Sequence, residues 1–151
     1  MPRGIYAMSS IRDFNKFITD LKKTIDKKLD EVDAELGASV ETMATQAKSL
    51  ASTDVMGNSI AQGIGVIKND KLSYTLSSSN PYSAYYEFGT GKYAATYVPN
   101  LDEEWQELAR KYFKTGKGTI PERRFLYPSV KAEFPKMVKR INNILNAWLR
   151  K

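Results

Sequence analysis

Apolar residues recur at steps of three or four along the first third of the chain, which is the period of an amphipathic α-helix. The stripe consists of Ile11, Phe14, Ile18, Leu21, Ile25, Leu29, Val32, Leu36, Val40, Met43, Ala47 and Leu50. Ser10, followed three residues later by Asp13, is typical of a capping box. The pattern therefore predicts a helix over residues 10–52.

The predicted helix is too long for a domain of this size. Forty residues of helix span about 60 Å, whereas a 150-residue domain has a radius of gyration of about 15 Å. We therefore expect either a break at Gly37 or packing of part of the helix against a neighbouring subunit.

From residue 60 the apolar period changes to two. Asp54 and Gly57 are expected to end the long helix, and two runs of alternating residues then flank the turn-forming segment 68–71. This arrangement predicts a β-hairpin over residues 60–78. One of its faces should be buried, and the other should meet water or a partner.

The last third of the chain returns to helical spacing. Its apolar stripe consists of Val130, Phe134, Val138, Ile141, Leu145 and Trp148. The spacing predicts a helix over residues 128–149, with Pro128 in its first turn. Pro135 removes a backbone donor, so it should kink or divide this helix.

Residues 92–119 form an insert between the hairpin region and the last helix. Asn100 and Glu103 are expected to cap a short helix that carries Trp105, Leu108, Tyr112 and Phe113, followed by a flexible basic exit. The insert is long for a plain connection, which favours a role in reaching a partner. The overall expectation is an α+β fold, a single domain over residues 1–151 with long N-terminal and C-terminal helices on a small antiparallel sheet.

Composition narrows the possible chemistry. The 151 residues include no cysteine and no histidine, which excludes disulfide scaffolds, Cys/His zinc sites and imidazole-dependent triads. Gly89-Thr90-Gly91-Lys92 is followed by Tyr93 rather than by the Ser or Thr of a phosphate-binding loop. No stretch approaches 18 apolar residues, and the N-terminus lacks a signal-peptide core, so no membrane is expected.

The formal charge of +6 is confined to one end of the chain. Residues 121–151 carry eight Lys or Arg and two acids, whereas residues 1–120 are neutral overall. A basic segment can face nucleic acid or an acidic protein surface, and it can equally be a solvated helix face.

Four short motifs occur in a fixed order. They are Ala-Lys-x-x-Ala at 47–51, Gly-Asn-Ser-Ile at 57–60, a Tyr-x-x-Tyr-x-Glu-Phe-Gly-Thr segment at 82–90, and Pro-x-x-x-Phe-Leu-x-Pro at 121–128. Together they resemble the tail-completion or head–tail connection (neck, tail-terminator-like) family of lambdoid-type tailed bacteriophages, over about residues 40–145.

The resemblance implies a structural virion protein with no enzymatic activity and no cofactor. Its members form rings, most often hexameric, that end the tail tube and join it to the filled head. The implied partners are further copies of the chain, a head-completion connector protein, the tail-tube protein and double-stranded viral DNA passing through the lumen without sequence-specific binding. The implied location is the virion neck, after assembly in the bacterial host cytoplasm.

Aromatic residues are enriched at protein interfaces, and the candidates for a subunit interface are Tyr82, Tyr85, Tyr86, Phe88, Trp105 and Tyr112. For Tyr85, Tyr86 and Phe88, internal packing against the C-terminal helix is an equally good expectation. The structural positions of the motifs are Glu87, Gly89, Thr90, Gly91, Phe125, Leu126 and Pro128. The cations that could face the lumen or DNA are Lys131, Lys136, Lys139 and Arg140, and an acidic subunit surface is their alternative partner.

Two other functions remain open at this stage. One is a nucleic-acid-binding module that uses the basic C-terminal segment, although no recognition motif is visible. The other is an enzyme that uses carboxylates, for which Glu87 and Asp102 are the residues to test. No catalytic, cofactor-binding or metal-binding residue is assigned.

Overall fold

The chain has an α+β fold, as its sequence predicts. A computed structural model describes residues 11–111, 118 and 120–150. In chain order its elements are α1 (Ile11–Ala51), α2 (Val55–Gln62), β1 (Ile64–Asp70), β2 (Ser73–Ser78), α3 (Ser83–Phe88), α4 (Gly91–Tyr97), a 3-10 turn (Val98–Asn100), α5 (Glu103–Arg110) and α6 (Leu126–Leu149). The capping box predicted at Ser10 lies outside the described residues.

The first helix, α1, is continuous over its 41 residues, so the expected break at Gly37 is wrong. A methyl group on Gly37 would lie 2.9 Å from the hydroxyl oxygen of Tyr74. Glycine at this position therefore makes room for a tyrosine of the hairpin. That tyrosine donates a hydrogen bond of 3.3 Å to the carbonyl oxygen of Asp33.

A short helix, α2, occupies residues for which the sequence predicts the start of a strand. The strand prediction is wrong for residues 60–62, because α2 runs from Val55 to Gln62 and β1 begins only at Ile64. Asp54 starts α2, since its carboxylate accepts a hydrogen bond of 2.7 Å from the amide of Gly57.

The hairpin is two antiparallel strands with a bulge between Lys68 and Asp70. Asp33 of α1 fixes its tip, because its carboxylate accepts hydrogen bonds from the amide of Leu72 at 2.7 Å and from Lys68 Nζ at 2.9 Å. The bond from Leu72 is the main reason why the pKa of Asp33 is lowered. The hairpin is therefore attached to the middle of α1.

Two clusters of buried side chains form the core. The first joins α1, α2 and β1 to the residue that precedes α6, and consists of Ala44, Ala47, Ala51, Ile60, Ala61, Ile64 and Phe125. The second lies under the insert and consists of Phe88, Ala94, Tyr97, Val98, Leu101 and Ala109. The alanines of α1 let neighbouring elements approach the helix closely, and Phe125 fills the space between them.

The described part of the insert contains helical segments, as the sequence predicts, and it packs onto the rest of the chain. Helices α4 and α5 and the turn between them supply most of the second core cluster. The residue that precedes α5 is Asp102, so the expected cap at Asn100 is wrong. Asn100 instead donates to the carbonyl oxygen of Thr96 at 3.0 Å. Tyr112 and Phe113 lie outside the described residues.

The last helix, α6, begins two residues earlier than predicted and runs unbroken through Pro135. It lies antiparallel to α1, since its start packs against the end of α1 while Arg140 reaches back to Glu35. Division of this helix at Pro135 is therefore wrong.

Candidate functional site

The segment 82–91 contains the short helix α3, which runs from Ser83 to Phe88. Asn80 fixes the turn before it, because its side-chain oxygen accepts from the amide of Tyr82 at 2.9 Å. Gly89 ends it with a φ of 75°, a conformation that favours glycine. A methyl group on Gly89 would also lie 2.9 Å from the amide nitrogen of Glu122. Gly91 has a φ of 54°.

Glu87 caps the start of α6 from across the fold. Its carboxylate accepts hydrogen bonds from the amides of Phe125, Leu126 and Tyr127 at 2.8, 2.9 and 3.0 Å. The residue is 1% exposed. Burial raises the pKa of Glu87, and the three amides act in the opposite direction. Both carboxylate oxygens of Glu87 thus accept hydrogen bonds from amides at the start of α6, which favours a folding role for this acid.

Thr90 closes the base of the insert. Its amide donates to the carbonyl oxygen of Ile120 at 2.8 Å, and the amide of Ile120 donates to the hydroxyl oxygen of Thr90 at 2.9 Å. This reciprocal pair joins the two ends of residues 91–119. The Glu-Phe-Gly-Thr run and the Phe-Leu motif are therefore parts of one structural junction.

The aromatic candidates do not share one environment. Phe88 is buried in the second core cluster, where Trp105 meets it edge-on at 6.5 Å between ring centroids. Tyr82 is exposed, whereas Tyr85 and Tyr86 are half-buried. The structure thus places Phe88 in the interior, packs half-buried Tyr86 against the first core cluster, and leaves Tyr82 exposed. Tyr112 lies outside the described residues.

The three tyrosines line a shallow groove of about 470 Å³ together with Met56, Ile120, Pro121 and Arg123. The guanidinium of Arg123 lies 5.3 Å from the ring centre of Tyr86 and pairs with Asp54. Asp54 is the cap of α2, and the amide of Gly57 is the main reason that its pKa is lowered. The cation in this groove is therefore already neutralised by an acid of the same chain.

A second groove, the α5/α6 groove, has no lining residue in common with the first, and the sequence did not reveal it. About 370 Å³ in volume, it is lined by Trp105, Tyr127, Val130, Phe134 and Pro135, with Asp102, Glu104 and Lys131 at its edge. Trp105 packs edge-on against Tyr127 at 5.1 Å between ring centroids. This groove brings one predicted interface residue together with part of the predicted stripe of α6.

The predicted apolar stripe of α6 is only partly used inside the chain. The fully buried residues of α6 are Ser129, Glu133 and Met137, whereas Phe134 is 52% exposed and Val138 is 39% exposed. The contacts of Arg140 explain why this face of α6 is turned toward α1. Arg140 pairs with Glu35 of α1 and with Glu133, and it donates to Ser39 Oγ at 3.1 Å. Glu133 and Arg140 are seven residues apart and so share a helix face, a signal that was available in the sequence.

The basic C-terminal segment is largely paired with acids. Lys131 binds Asp102 at 2.6 Å, and Arg140 is held by its two glutamates. Lys136 and Lys139 are exposed, and neither forms an ion pair within the described part of the chain. Of the four candidate lumen-facing cations, the structure therefore leaves these two available.

Neither a metal site nor a membrane span is found among the described residues. No group of three or more acidic side chains there is arranged to hold a metal ion. No described helix is long and apolar enough to cross a membrane.

Comparison with known protein families places the chain beside bacteriophage proteins. A family model described as HK97-gp10_like, "Bacteriophage HK97-gp10, putative tail-component", matches residues 12–89. The matched region contains α1, α2, the hairpin and α3 with Glu87. No curated protein and no solved structure matches the chain.

Proposed function

The chain belongs to the HK97-gp10-like family of bacteriophage tail components, and from this premise we propose that it forms a ring at the head–tail junction. In this role it completes the tail and joins it to the capsid, so it resides in the virion neck after assembly in the host cytoplasm. The observation that carries the proposal is the length of α1. Its 41 residues correspond to about 60 Å, more than one domain of this size can cover.

The exposed apolar surfaces of the chain support a role in assembly. The chain carries more than one apolar surface: the tyrosine groove and the α5/α6 groove have no lining residue in common, and exposed apolar residues lie on the first half of α1. A cyclic ring needs two different, matching patches on each copy, since its contacts are heterologous. A groove on one copy and an exposed helix face on the next meet that requirement.

The proposed ring has further partners. Other copies occupy its lateral contacts, while the tail-tube protein and a head-completion connector protein meet its two ends. Viral double-stranded DNA passes through the lumen, and Lys136 and Lys139 are the cations of the basic segment that remain available to meet its phosphates without reading its sequence.

Neither of the other functions finds a supporting observation. A nucleic-acid-binding module would use the basic segment, but Arg123, Lys131 and Arg140 are already paired with acids of the chain. An enzyme built on Glu87 would need a free carboxylate, but both of its oxygens accept backbone hydrogen bonds.

Inactivation of the gene in its phage tests the proposal. Electron microscopy of the lysate is expected to show filled heads and separate tails, and wild-type protein supplied from a plasmid should restore joined particles. Complete, infectious virions in the absence of the protein would overturn the proposed function.

A further inference from the structure

The N-terminal half of α1 carries an apolar stripe that the described residues of the chain do not cover fully. Phe14 is 51% exposed and Ile25 is 37% exposed, and Ile18 and Leu21 lie between them on the same face. The fully buried residues of α1 among those described all lie at or after Ser39.

The lengths of α1 and α6 beyond their contact explain why α6 does not cover this half of α1. Glu35 contacts Arg140, after which α6 continues for about 14 Å to its end at Leu149. In the antiparallel direction α1 continues for about 36 Å from Glu35 back to Ile11. About 20 Å of α1 therefore extends past the end of α6.

The α5/α6 groove is a second apolar surface, and it is open. Phe134 and Val138 continue the groove along α6 and are among the most exposed apolar residues of that helix. The groove cannot receive the free half of α1 from its own chain. Ile18 lies about 25 Å along the helix from Glu35, and Phe134 lies on the opposite side of the Glu35–Arg140 contact.

The two surfaces have opposite charge. Residues 14–28 contain five lysines and two aspartates. Glu104 lines the groove, and Glu103 precedes it in the first turn of α5. Both glutamates are exposed and form no ion pair with any described residue. Lys22 follows Leu21 by one position, which places it about 100° from that residue, at the border of the apolar stripe.

We propose that residues 14–28 of one copy pack into the α5/α6 groove of the next copy, with Lys22 beside Glu104. The inference rests on the proposed ring and assigns its lateral contact to named elements. Phe14, Leu21 and Ile25 would cover Phe134 and Val138, so that each copy both supplies a helix and receives one. Each copy uses its α1 segment on one neighbour and its groove on the other, so the same contact can repeat around a closed ring.

Cross-linking tests this contact directly, because the chain contains no cysteine of its own. Lys22→Cys and Glu104→Cys are each placed in a separate sample, and a short bis-maleimide is added to each sample and to their mixture. A two-copy product is expected in the mixture and not in either variant alone. A two-copy product from Lys22→Cys alone would overturn the proposal, because it would show α1 packing against α1.

Native mass measurement of the same mixture separates this proposal from the proposed function. An oligomer that forms without the mixed cross-link would overturn the assigned contact and leave the ring intact. A monomer at every concentration would overturn both the contact and the ring.

Charge exchange gives an independent readout with a matched control. Lys22→Glu and Glu104→Lys should each raise the protein concentration needed for half-assembly by about fivefold, and the double variant should restore it. Lys23→Glu makes the same change in charge about 200° from Leu21, so it should leave assembly unchanged. Equal effects of Lys22→Glu and Lys23→Glu, or no recovery in the double variant, would contradict the pairing.

Discussion

At the scale of single residues, Glu87 shows how a polar side chain can hold two distant parts of the chain together. It lies on α3 and supplies acceptors to three amides at the start of α6, which comes almost forty residues later. The sequence places this acid among the structural positions of its motif and also makes it a residue to test for the alternative of an enzyme. Its burial and its three backbone donors instead assign it to the fold.

Glu87→Ala should lower the free energy of unfolding by about 3 kcal/mol, because three buried amides lose their acceptor. Urea denaturation followed by circular dichroism, at one protein concentration, measures this loss. Glu41→Ala removes an exposed glutamate of α1 and should change stability by less than about 0.5 kcal/mol. Equal midpoints for the two variants would show that Glu87 does not cap α6.

The pH dependence of stability follows from the raised pKa of Glu87, relative to its ordinary value of 4.5. The folded state holds this proton more tightly than the unfolded state, so the contribution of Glu87 is largest below pH 4.5 and declines as the pH rises through its folded pKa. The stability advantage of the wild type over Glu87→Gln should therefore shrink as the pH rises. A stability advantage that grows with pH would show that the three amides lower the pKa of Glu87 by more than burial raises it.

Tyr97 offers the opposite case, a buried hydroxyl that forms no hydrogen bond with the described residues. Tyr97→Phe should raise the free energy of unfolding by about 1 kcal/mol, since an unpaired polar group leaves the core while the ring stays under Arg124. Tyr74→Phe is the control, because it removes a hydroxyl that does donate, to Asp33. Stabilisation by Tyr74→Phe but not by Tyr97→Phe would contradict this account.

At the scale of elements, α6 is attached to the rest of the chain by one buried ring and presents another to solvent. Phe125 is fully buried in the first core cluster, whereas Phe134 is 52% exposed. Phe125→Ala should therefore cost about 3–5 kcal/mol of stability, and Phe134→Ala should cost less than about 1 kcal/mol. Thermal or urea unfolding at one protein concentration compares them, and similar losses would contradict the assigned burial.

Periodicity predicted the long elements well, because their apolar residues repeat over many turns. The bounds of α1 and α6 differ from the prediction by no more than two residues. The helix over 55–62 was missed because Gly57 and Asn58 are weak helix formers, although Asp54 at its start was a usable signal. Short elements depend on such single contacts more than on pattern.

The candidate site was harder to predict, because hydrophobic periodicity does not show which residues of an apolar stripe other elements cover. The predicted stripe does lie on α6. The ion pairs of Arg140 with Glu35 and Glu133, however, turn a neighbouring face of the helix inward, so part of the stripe faces solvent. The sequence also could not separate Phe88 from the neighbouring tyrosines. That distinction depends on α4 and α5 closing over Phe88, a contact between residues distant in the chain.

Over the described part of the whole molecule, the two longest helices leave several large apolar side chains exposed, among them Phe14, Ile25, Phe134 and Val138. A helix of 41 residues extends beyond the end of α6, and two apolar grooves with no lining residue in common lie at the surface. In a family of bacteriophage tail components these features are best explained by assembly. The lack of histidine and cysteine is consistent with this interpretation.

The native mass of the purified full chain, measured over a range of concentrations, tests this central claim most directly. One copy has a mass of 17.1 kDa. A closed ring should have one fixed multiple of that mass, six for the expected hexamer, which does not grow as the concentration rises. A mass of one copy at every concentration, with and without the tail-tube protein, would contradict it.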